Sequence, residues 1–210
     1  MGTSPTRIQA TKRAEADFPT QFGNFRILGF EGSQRDPETC RPEAAVAVVM
    51  GDIQSAPPLV RIHSQCLTGD VFHSLRCDCR QQLELALRMI ADAGAGILLY
   101  EQKEGRGIGL IAKLQAYELQ DQGLDTVEAN EKLGFKADHR EFELPAAILR
   151  AMDVSEIRLI SNNPQKVSAL EAAGVHVIER VPCEPETSAH SAAYLRTKRE
   201  KLGHLLGSSE

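Results

Sequence analysis

IRLISNNPQKVSALEAAGVHVI, residues 157–178, carries the alternation that decides the fold. Ile157 to Ile160 reads as a short strand, and Ser161-Asn162-Asn163 as the loop that leaves it. Pro164 stands where a first helical residue can be proline, because its missing N–H has no helical acceptor there. Val167 and Leu170 then face inward from a helix, Gly174 ends it, and VHVI is the next strand. A strand–loop–helix–strand unit of this kind belongs to an α/β fold.

The same grammar extends outward. GILLY (96–100) reads as a buried strand. Before it, Leu83, Leu87 and Ile90 recur at helical spacing with Ala86 and Met89 beside them, until Gly94 and Gly96. After it, the loop EQKEGRGIG (101–109) leads into a helix predicted to carry Leu110, Ile111, Leu114 and Tyr117 along one face. Further upstream FRILGF (25–30), AAVAVVM (44–50) and PLVRIH (58–63) alternate with the turn-rich pieces EGSQRDPETC and GDIQSAPP. That spacing predicts strands of an antiparallel or mixed sheet. AAYLRTKREKLGHLL (192–206) has the pattern of a basic amphipathic helix. The expected architecture is α/β, a single compact domain in which a mixed or antiparallel β region is followed by alternating helices and strands. Its expected bounds are 18–206, with a flexible polar arm at 1–17 and a tail at 207–210.

Bulk properties narrow the function. The chain has 210 residues, 42% hydrophobic and 25% charged, which suits one soluble globular unit. Its net charge of −5 argues against general attraction to nucleic acid or to an anionic membrane. An anionic ligand therefore requires a local basic pocket. The N-terminus has no apolar core of a secretory signal, and no run reaches the roughly 18 apolar residues of a membrane helix. Met1-Gly2 with Thr6 formally fits a myristoylation pattern, which is short and frequently accidental. A cytoplasmic protein is expected.

Three of five cysteines, Cys66, Cys77 and Cys79, crowd into HSQCLTGDVFHSLRCDC (63–79) as C-x10-C-x-C. In an intracellular chain such clustering favours a metal over disulfides. Three thiolates suit zinc and leave a fourth position for water, which the ion makes acidic enough to act as a nucleophile. Two other readings stand beside it on spacing alone. His63 or His73 completes a closed structural site, or the cysteines are ordinary buried thiols.

Candidate anion-binding positions lie at strand-to-helix loops. Arg61 and His63 end a strand just before the cysteines, and Glu104-Gly105-Arg106 follows another. Asn162, Asn163 and Lys166 open a helix, where exposed N–H groups and the helix dipole favour phosphate. Each alone is equally a cap or a solvated side chain. In LGFKADHREFEL (133–144), Asp138 and Arg140 form either a surface ion pair or a base beside a phosphate ligand.

RIHSQCLTGDVFHSLRCDC, EQKEGRGIGL, DQGLDTVEAN, LGFKADHREF and LISNNPQKV occur in that order. Together they resemble GTP cyclohydrolase II, in its monofunctional form, from about Phe18 to Leu206. The resemblance implies zinc on Cys66, Cys77 and Cys79, one ion per chain. It implies Tyr117 at the reaction centre, Asp138 as proton acceptor and Arg140 as nucleophile toward the α-phosphate. The GTP-contacting positions it implies are Arg61, Ile62, His63, Ser64, Gln65 and Gln82, then Glu104, Gly105, Arg106, Thr126, Ser161 and Lys166. It also implies magnesium at the triphosphate, a homodimer, and no nucleic-acid or membrane partner. The implied reaction opens the guanine imidazole ring at C8, releasing formate and pyrophosphate as the first step of riboflavin biosynthesis. An enzyme stopping at the formamidopyrimidine nucleotide is a related alternative, and a zinc-stabilised nucleotide-binding module without catalysis a more distant one. Gln65 stands where the family frequently has glutamate, Ser161 where threonine is frequent, and His139 where an acidic residue is common.

Overall fold

The computed structural model describes residues 8–35, 42–135 and 142–185. Its centre is a seven-stranded mixed sheet built in two halves. The first half is antiparallel. Strand β1 (Ala10–Thr20) pairs with β2 (Gly23–Arg35), and β2 with β3 (Pro42–Met50). The second half is parallel. Strand β4 (Leu59–Ser64) lies between β5 (Gly96–Glu101) and β6 (Glu156–Ile160), and β7 (His176–Val181) follows β6. Antiparallel pairing of β3 with β5 joins the halves, giving the order β1-β2-β3-β5-β4-β6-β7.

Parallel neighbours need crossover connections, and these supply the helices. Helix α1 (Cys79–Ala93) links β4 to β5. Helices α2 (Leu110–Asp121), α3 (Thr126–Lys132) and α4 (Glu143–Ala151) lie between β5 and β6, and α5 (Pro164–Ala172) between β6 and β7. Because successive strand residues point to opposite faces, each central strand feeds two cores. Leu59, Leu98 and Ile160 pack with Ala86 and Ile90 of α1. Val60, Ile62, Ile97, Leu99, Ile157 and Leu159 pack on the other face with Leu144, Ile148 and Leu149 of α4 and Leu170 of α5. Strand β4 is thus buried on both faces, as parallel strands usually are.

Local signals behave as their chemistry requires. Asn163 caps α5 by accepting from the Gln165 N–H at 2.9 Å, Pro164 opens the helix, and Gly174 leaves it with φ of 82°. Asp125 and Glu128 form a reciprocal capping box at the start of α3. Among the described residues no helix is long and apolar enough to cross a membrane.

Two expectations need correction. Residues from Ala10 onward are not an arm but the edge strand β1, almost wholly exposed yet paired with β2 along its length, with a register shift between Lys12 and Ala14. Its polarity reflects a strand held by backbone hydrogen bonds rather than by burial. On α2, Ile111 and Leu114 are 69% and 42% exposed, so they form no inward stripe with Tyr117. This helix packs chiefly against α3 and the turn before it, and only Ala116 is buried. The proposed C-terminal helix (192–206) and the tail lie outside the described residues.

Gly96 tests the contact between α1 and the sheet. A Cβ there would sit 2.7 Å from the Leu59 carbonyl oxygen and 3.0 Å from two Ile90 side-chain carbons. Gly96→Ala is expected to destabilise the fold by about 2 kcal/mol through overpacking against backbone. Urea unfolding checks it, and an unchanged midpoint would refute the close packing.

Candidate functional site

The chain leaves β4 toward β5 on one side, while β6 is later added on the other side of β4. Loops at the carboxyl ends of these strands therefore diverge, and the crevice between them is where open α/β sheets bind ligands. A cavity of about 1110 Å³, including its open mouth, occupies this end.

Strand β4 delivers the first residues. Arg61 and His63 share one face and border the cavity, both buried. One Arg61 terminal nitrogen donates to the Ile160 carbonyl at 3.1 Å and the other to Gln82 Oε1 at 2.5 Å, while its Nε has no partner among the described residues. Gln82 in turn donates to Asp78 at 2.5 Å. Ile62 points the opposite way into the core, so only its backbone faces this end. Its carbonyl accepts from Lys166 Nζ at 2.8 Å. Ser64, Gln65, Ser161, Asn162, Asn163 and Lys166 complete this wall.

Beyond Gln65 a π-helical turn, Leu67–Val71, folds Cys66 back onto Cys77 and Cys79. The three sulfurs lie within 4.8 Å of one another, with Cys66 and Cys77 3.6 Å apart. Two thiolates on one tetrahedral zinc, each ~2.3 Å from it, would stand roughly 3.8 Å apart, so the cluster fits such an ion. Neither histidine joins it. His63 Nε2 is held at Asp70, and His73 is exposed on a left-handed backbone with φ of 58°. Among the described residues the donor set is three sulfurs, which corresponds to an open site rather than a closed one.

Charge at the cluster is already divided. Hydrogen bonds from the Cys77 and Cys79 thiols hold the Cys66 thiol far below its ordinary range, with the Lys113 ammonium 3.2 Å away adding to the effect. The hydrogen bond to Cys66 conversely keeps the proton on Cys77, up to about 11, and hydrogen bonds to Cys66 and Cys77 hold Cys79 well above the ordinary thiol range. Burial loosens the Lys113 proton, but the Cys66 thiolate and Glu104 outweigh it and hold Lys113 above the usual lysine range. Glu104 accepts from Lys113 at 2.6 Å and from the Leu67 N–H at 2.7 Å, tying the next loop to the cysteine turn.

Helices α2 and α3 form the facing wall. Tyr117 borders the cavity with its hydroxyl 3.1 Å from that of Thr68, and burial raises its pKa. Thr126 and Asn130, one helical turn apart, border it as well. Gly105 lines the pocket with φ of 60°, a conformation glycine adopts freely. Arg106 lies in the short turn Glu104–Gly107. Asp138, His139 and Arg140 fall outside the described residues.

Several participants escape sequence reading. Gly69 presses on the cysteines, where a Cβ would lie 2.9 Å from Cys77 Sγ and 3.1 Å from Cys66 Sγ. Asp70 receives hydrogen bonds from three different elements, and nothing in its neighbourhood signals that. Lys113 was legible in principle, since it stands four residues before Tyr117 on the same helical face.

The chain matches the GTP cyclohydrolase II family over residues 11–182. It is 52% identical to the GTP cyclohydrolase-2 of Histophilus somni over 194 residues, 92% of this chain and 87% of that protein. The GTP cyclohydrolase-2 of Buchnera aphidicola is 51% identical over 193 residues, 91% of this chain and 96% of its own. The riboflavin biosynthesis protein RibBA of Chlorobium phaeovibrioides is 51% identical over 205 residues, 97% of this chain but 48% of that longer one.

The close approach of Gly69 to two sulfurs gives a direct test of the cluster. Gly69→Ala should push the sulfurs apart and lower metal content per chain at least severalfold, with far-ultraviolet circular dichroism unchanged. Elemental analysis measures the metal, and full occupancy in the variant would rule out the crowding argument.

Proposed function

The chain belongs to the GTP cyclohydrolase II family, and on that footing we propose that it hydrolyses GTP, opening the guanine imidazole ring at C8 and releasing formate and pyrophosphate. The remaining product is a diaminopyrimidinone ribosyl phosphate, the first intermediate toward riboflavin. The observation that carries this reading is the meeting of three clustered thiols with Arg61, Lys166 and Tyr117 on one pocket. Cys66, Cys77 and Cys79 would hold zinc, which when bound supplies Lewis acidity and an activated water for attack on the ring.

The remaining work falls to the side chains. Arg61 and Lys166 concentrate positive charge in a chain of net charge −5, which suits a triphosphate accompanied by magnesium. The Tyr117 hydroxyl, kept protonated by burial, orients or delivers a proton during ring opening. Asp138 acts as proton acceptor and Arg140 engages the α-phosphate in this reading. Their segment joins α3, whose Thr126 and Asn130 border the pocket, to Phe142, whose ring lies 5.5 Å from Lys166 Nζ. Gln82 and Glu104 are the candidates for reading the guanine edge. Each is already hydrogen-bonded within the protein, which would present them to the base in a fixed orientation. A homodimer in the cytoplasm completes the reading.

Purified protein incubated with GTP and magnesium should release formate and pyrophosphate in equal amounts. A folded, zinc-loaded preparation that binds GTP and releases neither would leave only the non-catalytic alternative. Tyr117→Phe separates chemistry from packing, because the ring stays and only the hydroxyl goes. Its GTP affinity should stay within about twofold of the parent while formate release falls by roughly 10²–10⁴. A variant that melts early yet turns over normally would make Tyr117 a packing residue alone.

A further inference from the structure

Asp70 lies between the cysteines in sequence and has no role in the scheme above. Its side chain is 4% exposed, yet three groups converge on it. Oδ2 accepts from the Cys66 backbone N–H at 3.0 Å and from the Tyr100 hydroxyl at 2.9 Å. His63 Nε2 lies 3.2 Å from Oδ1 and 3.3 Å from Oδ2. The Asp70 carbonyl accepts from Arg80 at 2.9 Å, so the residue is anchored at both ends.

The arrangement decides a tautomer. A carboxylate only accepts hydrogen bonds, so the proton between it and His63 belongs to Nε2. The lone pair then sits on Nδ1, which is buried and has no partner among the described residues. The ring borders the cavity and is stacked on Tyr100, with centroids 5.5 Å apart and planes 15° from parallel. A half-turn about Cβ–Cγ would leave the ring plane and the stack in place but set Cε1 where Nε2 stands, losing the hydrogen bond to Asp70. Burial also pushes His63 below its ordinary range, against the pull of Asp70, which keeps the ring neutral.

We infer that Asp70 is a positioning residue that sets two things with one carboxylate: the backbone orientation of Cys66 and the tautomer of His63. The pocket thereby presents a neutral imidazole Nδ1 as an acceptor for an N–H or O–H donor of the bound nucleotide. The inference rests on the GTP reading only for the identity of that donor. A brace for the cysteine turn alone would need the bond to Cys66 but not the bond to His63. The two roles therefore separate by experiment.

Asp70→Asn keeps the shape and replaces one oxygen with a donor. With its oxygen on Cys66 N–H and Tyr100, the amide N–H meets His63 Nε2, and the ring proton must move to Nδ1. In ¹⁵N-histidine-labelled protein, with His63 assigned through His63→Gln, the parent should show a protonated Nε2 and the variant a protonated Nδ1. Metal content should be largely retained. The KM for GTP should rise about tenfold while kcat changes less than about threefold, the pattern of a lost binding contact. Tyr100→Phe removes one donor to the carboxylate without changing the partner of His63, and should keep the parent tautomer. An unchanged tautomer in Asp70→Asn overturns the inference, whether or not the metal is lost. A reversed tautomer with unchanged KM overturns its substrate-facing half. The parent protein supplies a test independent of any variant, since a protonated Nδ1 there refutes the assignment. The tautomer and metal readouts need no turnover, so they stand or fall separately from the GTP reading.

Discussion

Strand β4 is parallel to both of its neighbours, and that constraint organises the molecule. The connections from β4 to β5, from β5 to β6 and from β6 to β7 are therefore crossovers, so helices cover both faces of β4 and the loops part at its carboxyl end. Its strict alternation then does two jobs in six residues. Val60 and Ile62 join one core, while Arg61 and His63 face the other layer and emerge at the cavity. A one-residue slip would exchange these sets, placing an arginine in an apolar core. The same register that stabilises the sheet therefore aims the polar groups.

The cavity is chemically divided by the elements that wall it. The turn after β4 and the start of α1 supply sulfur, β4 with the loop after β6 and the start of α5 supplies polar and cationic groups, and α2 with α3 supplies hydroxyls, amides and the Lys113 ammonium. Buried charge is tolerable there because it is paired. The Cys66 thiolate faces Lys113, and Lys113 faces Glu104, which also accepts from the cysteine turn. Removing one member would leave another charge buried and unpaired, a far larger penalty than an exposed pair carries.

Several of these groups also hold the fold together. Arg61 bonds the β6 carboxyl end and Gln82 of α1, and Lys166 bonds the Ile62 carbonyl. Asn162 exchanges two hydrogen bonds with the Cys183 backbone, closing the sheet end beyond β7. Such double use makes the pocket rigid before any ligand arrives, which lowers the ordering cost of binding. It also means that truncating these side chains mixes stability with function, whereas isosteric changes at Asp70 and Tyr117 separate them.

What the amino-acid sequence determined by itself was local. Periodicity located α1, α5 and the strands around them, caps marked their ends, and three cysteines within 14 positions specified a soft donor set. The ordered motifs also marked most residues that border the pocket, although the reading gave them chemistry without geometry. Other features were decided only in three dimensions. Polar composition disguised β1, because an edge strand is held by backbone bonds that side chains do not report. Apolar residues on α2 suggested an inward stripe that the packing leaves in solvent. Asp70 and Lys113 acquire meaning from partners 30 and 47 residues away, Tyr100 and Cys66. A short sequence pattern encodes conformation and donor type, but charge pairing, tautomer and close approach belong to atoms that only folding brings within a few ångströms.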